Sequence, residues 1–343
     1  MKILYTIVAI VVLSASQVSA QFTSDDDNEF TRTGTSGAVF LKIIPDARSA
    51  SLGGAHSGIY GDISSLYWNP AGIAAMTNIG LSVAQVDLFA GISYNFVGIV
   101  YPIGGGSALG FHTIYLNSGE MEETTLNEPE GTGRFFNTAS YSLGLTYARH
   151  MTDHLMTGIT FKYLREDVWL TKAQSFAFDV GTVLDTGILG TRLGMSLTNL
   201  GPDLNLNGDN LEVGLFLPDG STIPLDIATN SWTIPITFRV GIAMDLLGAR
   251  SPLAGSETNR LTLLADFNDS ADAASRGNFG LEYNWNEVIS LRGGNYFNYD
   301  EASFSYGAGL NYETEGYNII FDYAVIDYGR LNFVNQFDVS FLF

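Results

Sequence analysis

Much of the chain alternates between apolar and small or polar residues. In the stretch SFSYGAGLNY, residues 303–312, every second position is aromatic or aliphatic: Phe304, Tyr306, Ala308, Leu310 and Tyr312. The positions between them hold serine, glycine and asparagine. Because successive side chains of a β-strand point to opposite faces, this period of two predicts a strand with one apolar and one small or polar face.

The same alternation along the whole chain predicts about fourteen strands. They span residues 79–86, 92–101, 107–116, 138–150, 154–166, 173–184, 189–200, 235–246, 260–268, 276–285, 288–297, 303–313, 317–325 and 334–343. The two longest connections, residues 117–137 and 201–234, follow the third and seventh strands, so both fall at the same end of an up-and-down barrel. Residues 247–259 form a third long connection at the opposite end, and they fit this arrangement less well.

Each strand alone is compatible with a soluble sandwich or with a membrane barrel. The second face carries charges of both signs, which can pair across a wet lumen: Lys162, Asp179, Arg192, Arg239, Glu282, Arg292 and Asp322. Composition favours the barrel, because charged residues make up only 15% of the chain and hydrophobic residues 46%. We therefore predict an all-β fold, a transmembrane antiparallel barrel of about fourteen strands whose apolar, aromatic face meets lipid.

The first twenty residues predict export. Lys2 precedes an apolar run over residues 3–13, and small residues lead to Ala20, which is the pattern of a signal peptide cleaved after Ala20. The run is shorter than the roughly 20 apolar residues of a spanning helix. We interpret residues 1–20 as a signal peptide, 21–78 as an N-terminal extension and hatch or plug, and 79–343 as the barrel, located in a Gram-negative type of outer membrane.

Two motifs in residues 21–78 have no strand periodicity. The first is PDARSA followed by LGG, and the second is WNPAG. Asparagine before proline favours the start of a short helix, and paired glycines permit a tight turn. The candidate hatch residues in these motifs are Pro45, Asp46, Arg48, Gly53, Gly54, Trp68, Asn69, Pro70 and Gly72.

The two motifs together resemble the N-terminal signature of the PorV/PorQ family, which comprises outer-membrane proteins of the type IX secretion system related to FadL-type transporters. The similarity continues weakly to the end of the chain, through Asn199-Leu200-Gly201, Leu291-Arg292-Gly293-Gly294 and Asp322-Tyr323-Ala324. It implies a fourteen-stranded barrel with an N-terminal hatch. We expect WNPAG to form the capped turn of the hatch that closes the lumen.

The resemblance also implies a function, which is to bind and shuttle, or to anchor, type IX secretion cargo or partner proteins at the cell surface. PorV-like members accept cargo by its C-terminal sorting domain after the translocon and pass it to the attachment machinery. Recognition by residues 117–137 and 201–234 is one expectation, and the second loop offers apolar candidates: Leu211, Val213, Leu215, Phe216 and Trp232. The alternatives are that these residues fold back over the barrel mouth, and that the protein is a FadL-like channel for hydrophobic small molecules.

Residues with catalytic or metal-binding chemistry are sparse. The chain has no cysteine, which excludes thiolate catalysis. His150 and His154 flank a turn and are interpreted as exposed rim residues, and Gly104-Gly105-Gly106 precedes a strand rather than the helix of a phosphate loop. A net charge of −20 argues against binding nucleic acid. We expect a protein that is not an enzyme and has no cofactor or metal. Its expected partners are outer-membrane lipid, secreted cargo or secretion proteins, and a hydrophobic ligand as a further possibility.

Overall fold

Fourteen antiparallel strands close into one barrel in the computed structural model, which describes residues 34–208, 211–216 and 222–343. Each strand pairs with its neighbours in sequence, and the first pairs with the last. The predicted signal peptide lies outside the described residues. The barrel strands are β1 Gly80–Asp87, β2 Ser93–Gly104, β3 Ser107–Asn117, β4 Thr138–His150, β5 Leu155–Val168, β6 Thr171–Asp185, β7 Thr191–Leu200, β8 Thr237–Leu247, β9 Asn259–Ser270, β10 Arg276–Trp285, β11 Ile289–Phe297, β12 Phe304–Thr314, β13 Tyr317–Asp327 and β14 Phe333–Leu342.

The alternation in sequence is an alternation between the outer and inner faces of this wall. In β6, Phe176, Phe178 and Val180 are about half exposed, whereas Ala177 and Asp179 between them are fully buried. Exposed apolar side chains recur in this way around the barrel, as expected for a surface that contacts lipid. The predicted all-β transmembrane barrel is thus confirmed. Within the described residues, no helix is long and apolar enough to span a membrane.

The connections differ between the two ends of the barrel. Residues 118–137 and 201–236 are at one end, which we call the long-loop end, together with short helical turns at Phe89–Gly91 and Gly329–Leu331. The long-loop end of an outer-membrane barrel faces the cell exterior. The opposite, short-turn end has tight connections such as residues 315–316, and residues 248–258 are its longest connection.

Residues 37–76 run through the inside of the barrel before β1 begins, and we call them the luminal segment. At the long-loop end, the Gly37 amide donates to the Thr233 carbonyl at 3.0 Å. At the short-turn end, Ile79 exchanges two backbone hydrogen bonds with Phe343. The segment therefore traverses the lumen from one end to the other. Its helical elements are short: Val39–Lys42 and Pro70–Ala75 are 3-10 helices, and α1 Ala47–Ser51 and α2 Ser65–Trp68 are α-helical.

The inner wall accommodates the luminal segment through glycines. A Cβ atom at Gly158 would lie 2.4 Å from the Pro70 carbonyl carbon, and one at Gly294 would lie 2.0 Å from the Gly53 nitrogen. Such distances are far below van der Waals contact, so only glycine fits at these wall positions. The glycine-rich inner face thus reflects close packing with the luminal segment.

Candidate functional site

The PDARSA motif forms the start of α1. Asp46 caps this helix, and its Oδ2 accepts hydrogen bonds from the Ser49 amide at 2.7 Å and from the Ser49 hydroxyl at 2.5 Å. Its Oδ1 accepts a hydrogen bond from Trp68 Nε1 at 2.9 Å. The Ala47 amide donates to Oδ2 of Asp338 on β14 at 2.9 Å. One capping carboxylate therefore joins two motifs that are 22 residues apart in sequence.

The WNPAG motif forms a capped turn that contacts the opposite wall. The Asn69 side chain caps the 3-10 helix, since its Oδ1 accepts from the Ala71 amide at 3.2 Å and Pro70 occupies the first turn. Asn69 Nδ2 also donates to the Thr182 carbonyl on β6 at 2.9 Å. The Trp68 carbonyl accepts from Oγ of Ser196 on β7 at 2.9 Å. The side chain of Asn69 thus caps a helix and binds the wall at the same time.

Charged side chains connect the luminal segment to the wall at β10 to β13. Arg48 donates to Glu282 at 2.8 and 3.0 Å and to Asp62 at 2.6 Å. Arg292 donates to Glu282 at 2.7 Å and also binds Asp322. Burial alone would raise the pKa of Asp62, but the Arg48 guanidinium and hydrogen bonds from Ser64 lower that pKa to about 2. The Asp62 carboxylate of this network is therefore held in its charged form.

His56 occupies a buried position between the two motifs. Its Nδ1 lies 2.7 Å from Ser49 Oγ, and its ring stacks on Trp68 with centroids 5.8 Å apart. Burial lowers the pKa of His56, although the nearby carboxylates of Asp46 and Asp62 oppose this shift. The backbone amides of His56 and Ser57 both donate to Asp266 on β9, at 3.0 and 2.7 Å.

The glycines of both motifs lie where the chain turns or approaches another group. Gly53 and Gly54 have φ angles of 66° and 78°, in the left-handed region that favours glycine. A Cβ atom at Gly53 would lie 2.6 Å from the Asn295 nitrogen on β11, and one at Gly72 would lie 2.4 Å from Ser65 Oγ. The structure therefore places the candidate hatch residues, including the buried Pro45, within the luminal segment.

The candidate loop residues lie together at the long-loop end. Leu211 directly precedes a hairpin of Glu212–Phe216 with Thr222–Asp226, which contains Val213, Leu215 and Phe216. Trp232 is about one-third exposed, and its backbone pairs with Leu204 at 2.8 and 2.9 Å. Leu204 is fully buried beside Gly37 of the luminal segment. The base of this loop therefore covers the lumen, and the hairpin extends from that base.

A cavity of about 320 Å³ at the long-loop end was not predicted from the sequence. It is lined by aromatic residues from the luminal segment and from the loops between strands, together with Arg239 of β8. The alternation in sequence predicts that Arg239 is one of the inner-wall charges that can pair across a lumen. Its guanidinium carbon instead lies 5.3 Å from the Trp68 ring centroid and 5.7 Å from that of Tyr67. No spacing in the sequence marks this contact.

Histidine and carboxylate side chains do not converge on a metal site within the described ranges, where no group of three or more could hold an ion. His150 ends β4 and His154 lies in the following turn, so both are at the short-turn rim. Among the described residues, the candidate site is thus a set of contacts between the luminal segment and the barrel wall. The cavity lies next to these contacts, at the long-loop end.

A closed fourteen-stranded barrel with an apolar outer face defines this protein as an outer-membrane β-barrel. Residues 25–209 match the family model described as type IX secretion system protein PorV, which is more than half of the chain. The chain belongs to the PorV family, as the sequence motifs predicted. No curated protein matches it.

Solved structures with a similar fold include two toluene transporters and a FadL homologue. The toluene transporter TbuX of Ralstonia pickettii is 14% identical with a TM-score of 0.52, and the match covers 87% of this chain and 97% of that one. A FadL homologue of Pseudomonas aeruginosa is 12% identical with a TM-score of 0.52, covering 87% and 98%. The toluene transporter TodX of Pseudomonas putida is 11% identical with a TM-score of 0.53, covering 87% and 98%. At these identities the likeness concerns the fold alone.

Proposed function

We propose that this type IX secretion barrel binds cargo or partner proteins at its long-loop end and shuttles or anchors them at the cell surface. The observation that carries this proposal is the occupied lumen. Leu52, Leu66 and Ile73 of the luminal segment are fully buried inside the barrel. Because the segment fills the space through which a polypeptide would pass, protein partners would bind outside the lumen. The two long loops at one end offer such a surface.

In this proposal, residues 21–78 act as the hatch of the barrel formed by residues 79–343, after removal of residues 1–20. The contacts of Asp46, Arg48, Trp68 and Asn69 support the assignment, since each of these side chains binds another part of the segment or the wall. A hatch held at so many points would keep the lumen closed while partners bind outside.

Apolar side chains on polar loops support a docking role for the long-loop end. Leu126 near the tip of residues 118–137 is fully exposed, and Trp232 of the second loop is partly exposed. Exposed apolar residues of this kind frequently mark protein contacts. Leu211, Val213, Leu215 and Phe216 belong to the same proposed surface through the hairpin that contains or adjoins them.

Site-directed crosslinking tests the proposal, because the chain has no cysteine of its own. Leu126→Cys and Trp232→Cys place a single thiol on each long loop, and Leu253→Cys places one at the short-turn end as a matched control. Cells carrying each variant are treated with a thiol-reactive photocrosslinker, and the adducts are identified by mass spectrometry. We expect both long-loop variants to form adducts with exported proteins sharing a C-terminal domain, or with a large translocon protein. Equal adducts from both ends, or none from the long loops, would contradict the proposal.

A second candidate function is uptake or export of hydrophobic small molecules. The aromatic cavity at the long-loop end favours it. The cavities at the short-turn end, including one of about 370 Å³, lie on the other side of the luminal segment. Transport would therefore require this segment to move. Release of radiolabelled phenylacetate from vesicles containing the purified barrel tests the idea, and release no faster than from empty vesicles would exclude it for this solute.

A further inference from the structure

Six aromatic rings line the cavity at the long-loop end, together with apolar, polar and charged side chains. Its volume of about 320 Å³ is at the lower end of the range typical of small-molecule sites, roughly 300–1,000 Å³. The rings come from the luminal segment, from β11 and from three connections between strands: Tyr67, Trp68, Phe89, Tyr296, Tyr299 and Tyr328. Tyr296 and Tyr299 pack edge to face, with centroids 5.1 Å apart. Such a wall complements an apolar or aromatic body of few atoms.

The wall also contains one buried cation without a carboxylate partner. Arg239 is only 6% exposed, and its Nη1 donates to Thr198 Oγ1 at 2.9 Å. Among the described residues, no carboxylate oxygen lies within 4.0 Å of its side-chain nitrogens. Asp266 on the adjacent strand directs its Oδ2 to the amides of His56 and Ser57 instead. The guanidinium lies over the rings of Tyr67 and Trp68, and it interacts with the Asp266 carboxylate only at longer range than an ion pair.

The other cations that line the cavity each have a carboxylate within 4.0 Å, and the carboxylates of Asp300 and Glu301 line the cavity as well. Lys42 pairs with Asp272 at 2.7 Å. Arg276 lies 4.4 Å from the Tyr299 ring centroid and 3.7 Å from Asp300. Of the described residues, Arg239 is thus the cation of the cavity wall that lacks a carboxylate partner. The chain as a whole has a net charge of −20.

A buried cation without a carboxylate partner is unfavourable, and the aromatic faces compensate for it only in part. An anionic oxygen in the cavity would form charge-assisted hydrogen bonds with the free guanidinium nitrogens. A second full charge on the ligand would have no partner there. The wall therefore favours a single negative charge on an otherwise apolar molecule.

We propose that this cavity binds a small amphiphilic monoanion, a carboxylate on an aromatic or short hydrocarbon body, with Arg239 pairing with the carboxylate and the tyrosine rings packing against the body. The proposal rests on the second candidate function and deepens it by naming the ligand class. It concerns binding only, so it can hold whether or not the barrel releases the ligand on the other side.

Calorimetric titration of the purified full-length barrel in detergent tests this proposal. The probes are phenylacetate and its neutral analogue phenylacetamide, which have the same shape and differ in charge. We expect saturable binding of phenylacetate and at least tenfold weaker binding of phenylacetamide. Arg239→Gln should weaken phenylacetate binding at least tenfold, whereas Arg239→Lys should retain part of it. Arg260→Gln, at the short-turn end, is the matched control and should bind as the unaltered protein does.

Equal affinity for the two probes, or no binding of either, would overturn the proposal. The same holds if Arg239→Gln binds phenylacetate normally. The comparison of probes needs no variant, so it remains decisive even if Arg239→Gln does not fold, which is checked by heat-dependent gel mobility. Binding without release from vesicles would reject transport and leave the proposed site intact.

Discussion

The luminal segment contacts the two sides of the barrel by different interactions. On the side of β9 to β14, carboxylates of the wall receive hydrogen bonds from the segment. Asp266 binds two backbone amides, Glu282 binds Arg48, and Asp338 binds the Ala47 amide at the start of α1. Charge and hydrogen bonding therefore add to glycine contacts such as that of Gly294 with Gly53 on this side.

On the side of β3 to β6, the fit is largely one of shape. Leu66 and Ile73 pack against Gly110 of β3. A Cβ atom at Gly110 would lie 2.3 Å from the Leu66 side chain and 3.0 Å from that of Ile73. Pro70 packs in the same way against Gly158. Fully buried apolar side chains predominate here, and Asn69 supplies a polar contact.

Each side of the barrel is therefore expected to resist a different kind of substitution. A wall carboxylate whose partner is removed remains buried and uncompensated, which costs more than the loss of an apolar contact. A close contact between a wall glycine and the luminal segment does not depend on the charges of other residues. It cannot accommodate a larger side chain in place of the glycine. The two sides therefore predict opposite sensitivities, which substitutions can separate.

The largest effect is expected on the polar side from Arg292→Met. This change leaves Glu282 with Arg48 alone and Asp322 without its arginine, both buried in the wall. We expect a loss of about 3–5 kcal/mol in the free energy of unfolding, because a buried ion pair is broken while its charges remain. Urea unfolding of the barrel in lipid vesicles, followed by tryptophan fluorescence, measures this loss.

Arg260→Met is the matched control for that measurement. Arg260 pairs with Glu287 at 3.0 Å in a more exposed setting, where ion pairs contribute about 0–1 kcal/mol. If both variants lose the same small amount, the polar side does not depend on its buried ion pairs, and the comparison between the two sides fails.

A smaller effect is expected on the other side from Gly158→Val. The added side chain would collide with the backbone of Pro70 and Ala71, so either the luminal segment or β5 must shift. We expect a loss of about 1–3 kcal/mol, typical of overpacking. Faster proteolysis within the luminal segment should accompany it.

Gly293→Val tests whether valine for glycine is itself harmful in this wall. A Cβ atom at Gly293 would meet nothing within 4 Å, so we expect a change within about 0.5 kcal/mol. Equal losses at Gly158 and Gly293 would contradict the assignment of the effect to the luminal segment.

Strand periodicity is local, and this explains why the barrel was predictable from the sequence. The expected strand at residues 303–313 is β12, Phe304–Thr314. Ile320 interrupts the alternation of β13, and the structure gives the reason, since Ile320 lines a cavity of about 140 Å³ at the short-turn end. A single apolar residue on the inner face thus does not prevent the strand from being predicted from its alternation.

The contacts inside the barrel could not be predicted, because they join distant parts of the chain. The motifs identified the luminal residues, but no spacing indicates that Asp46 binds Trp68 or that Arg239 lies over Trp68. A glycine-rich inner face is by itself equally compatible with room for an open path through the barrel. The contacts of the inner-wall glycines with Gly53 and Pro70 show that the luminal segment fills this room, and a sequence pattern does not distinguish an empty face from a closely packed one.

The smallest expected effect is a dependence of the free energy of unfolding on pH. His56 lies between the two motifs, and burial lowers its pKa below the ordinary value near 6.5. Because the unfolded chain therefore takes up the proton at a higher pH than the folded chain, the contribution of His56 to stability should be constant above about pH 6.5. It should fall below that pH, by at most about 1.4 kcal/mol per pH unit.

His56→Gln separates this contribution from those of the other titrating groups. Glutamine retains a hydrogen-bonding group near Ser49 but cannot take up the proton, and the remaining histidines and carboxylates are common to both proteins. Unfolding free energies are compared between about pH 7.5 and about pH 5, on either side of the ordinary histidine pKa. We expect the curve of the unaltered protein to fall more steeply than that of the variant below about pH 6.5. Parallel curves would mean that protonation of His56 does not destabilise the packing of the luminal segment in the barrel. The loss of stability at low pH would then come from groups other than His56, such as the wall carboxylates.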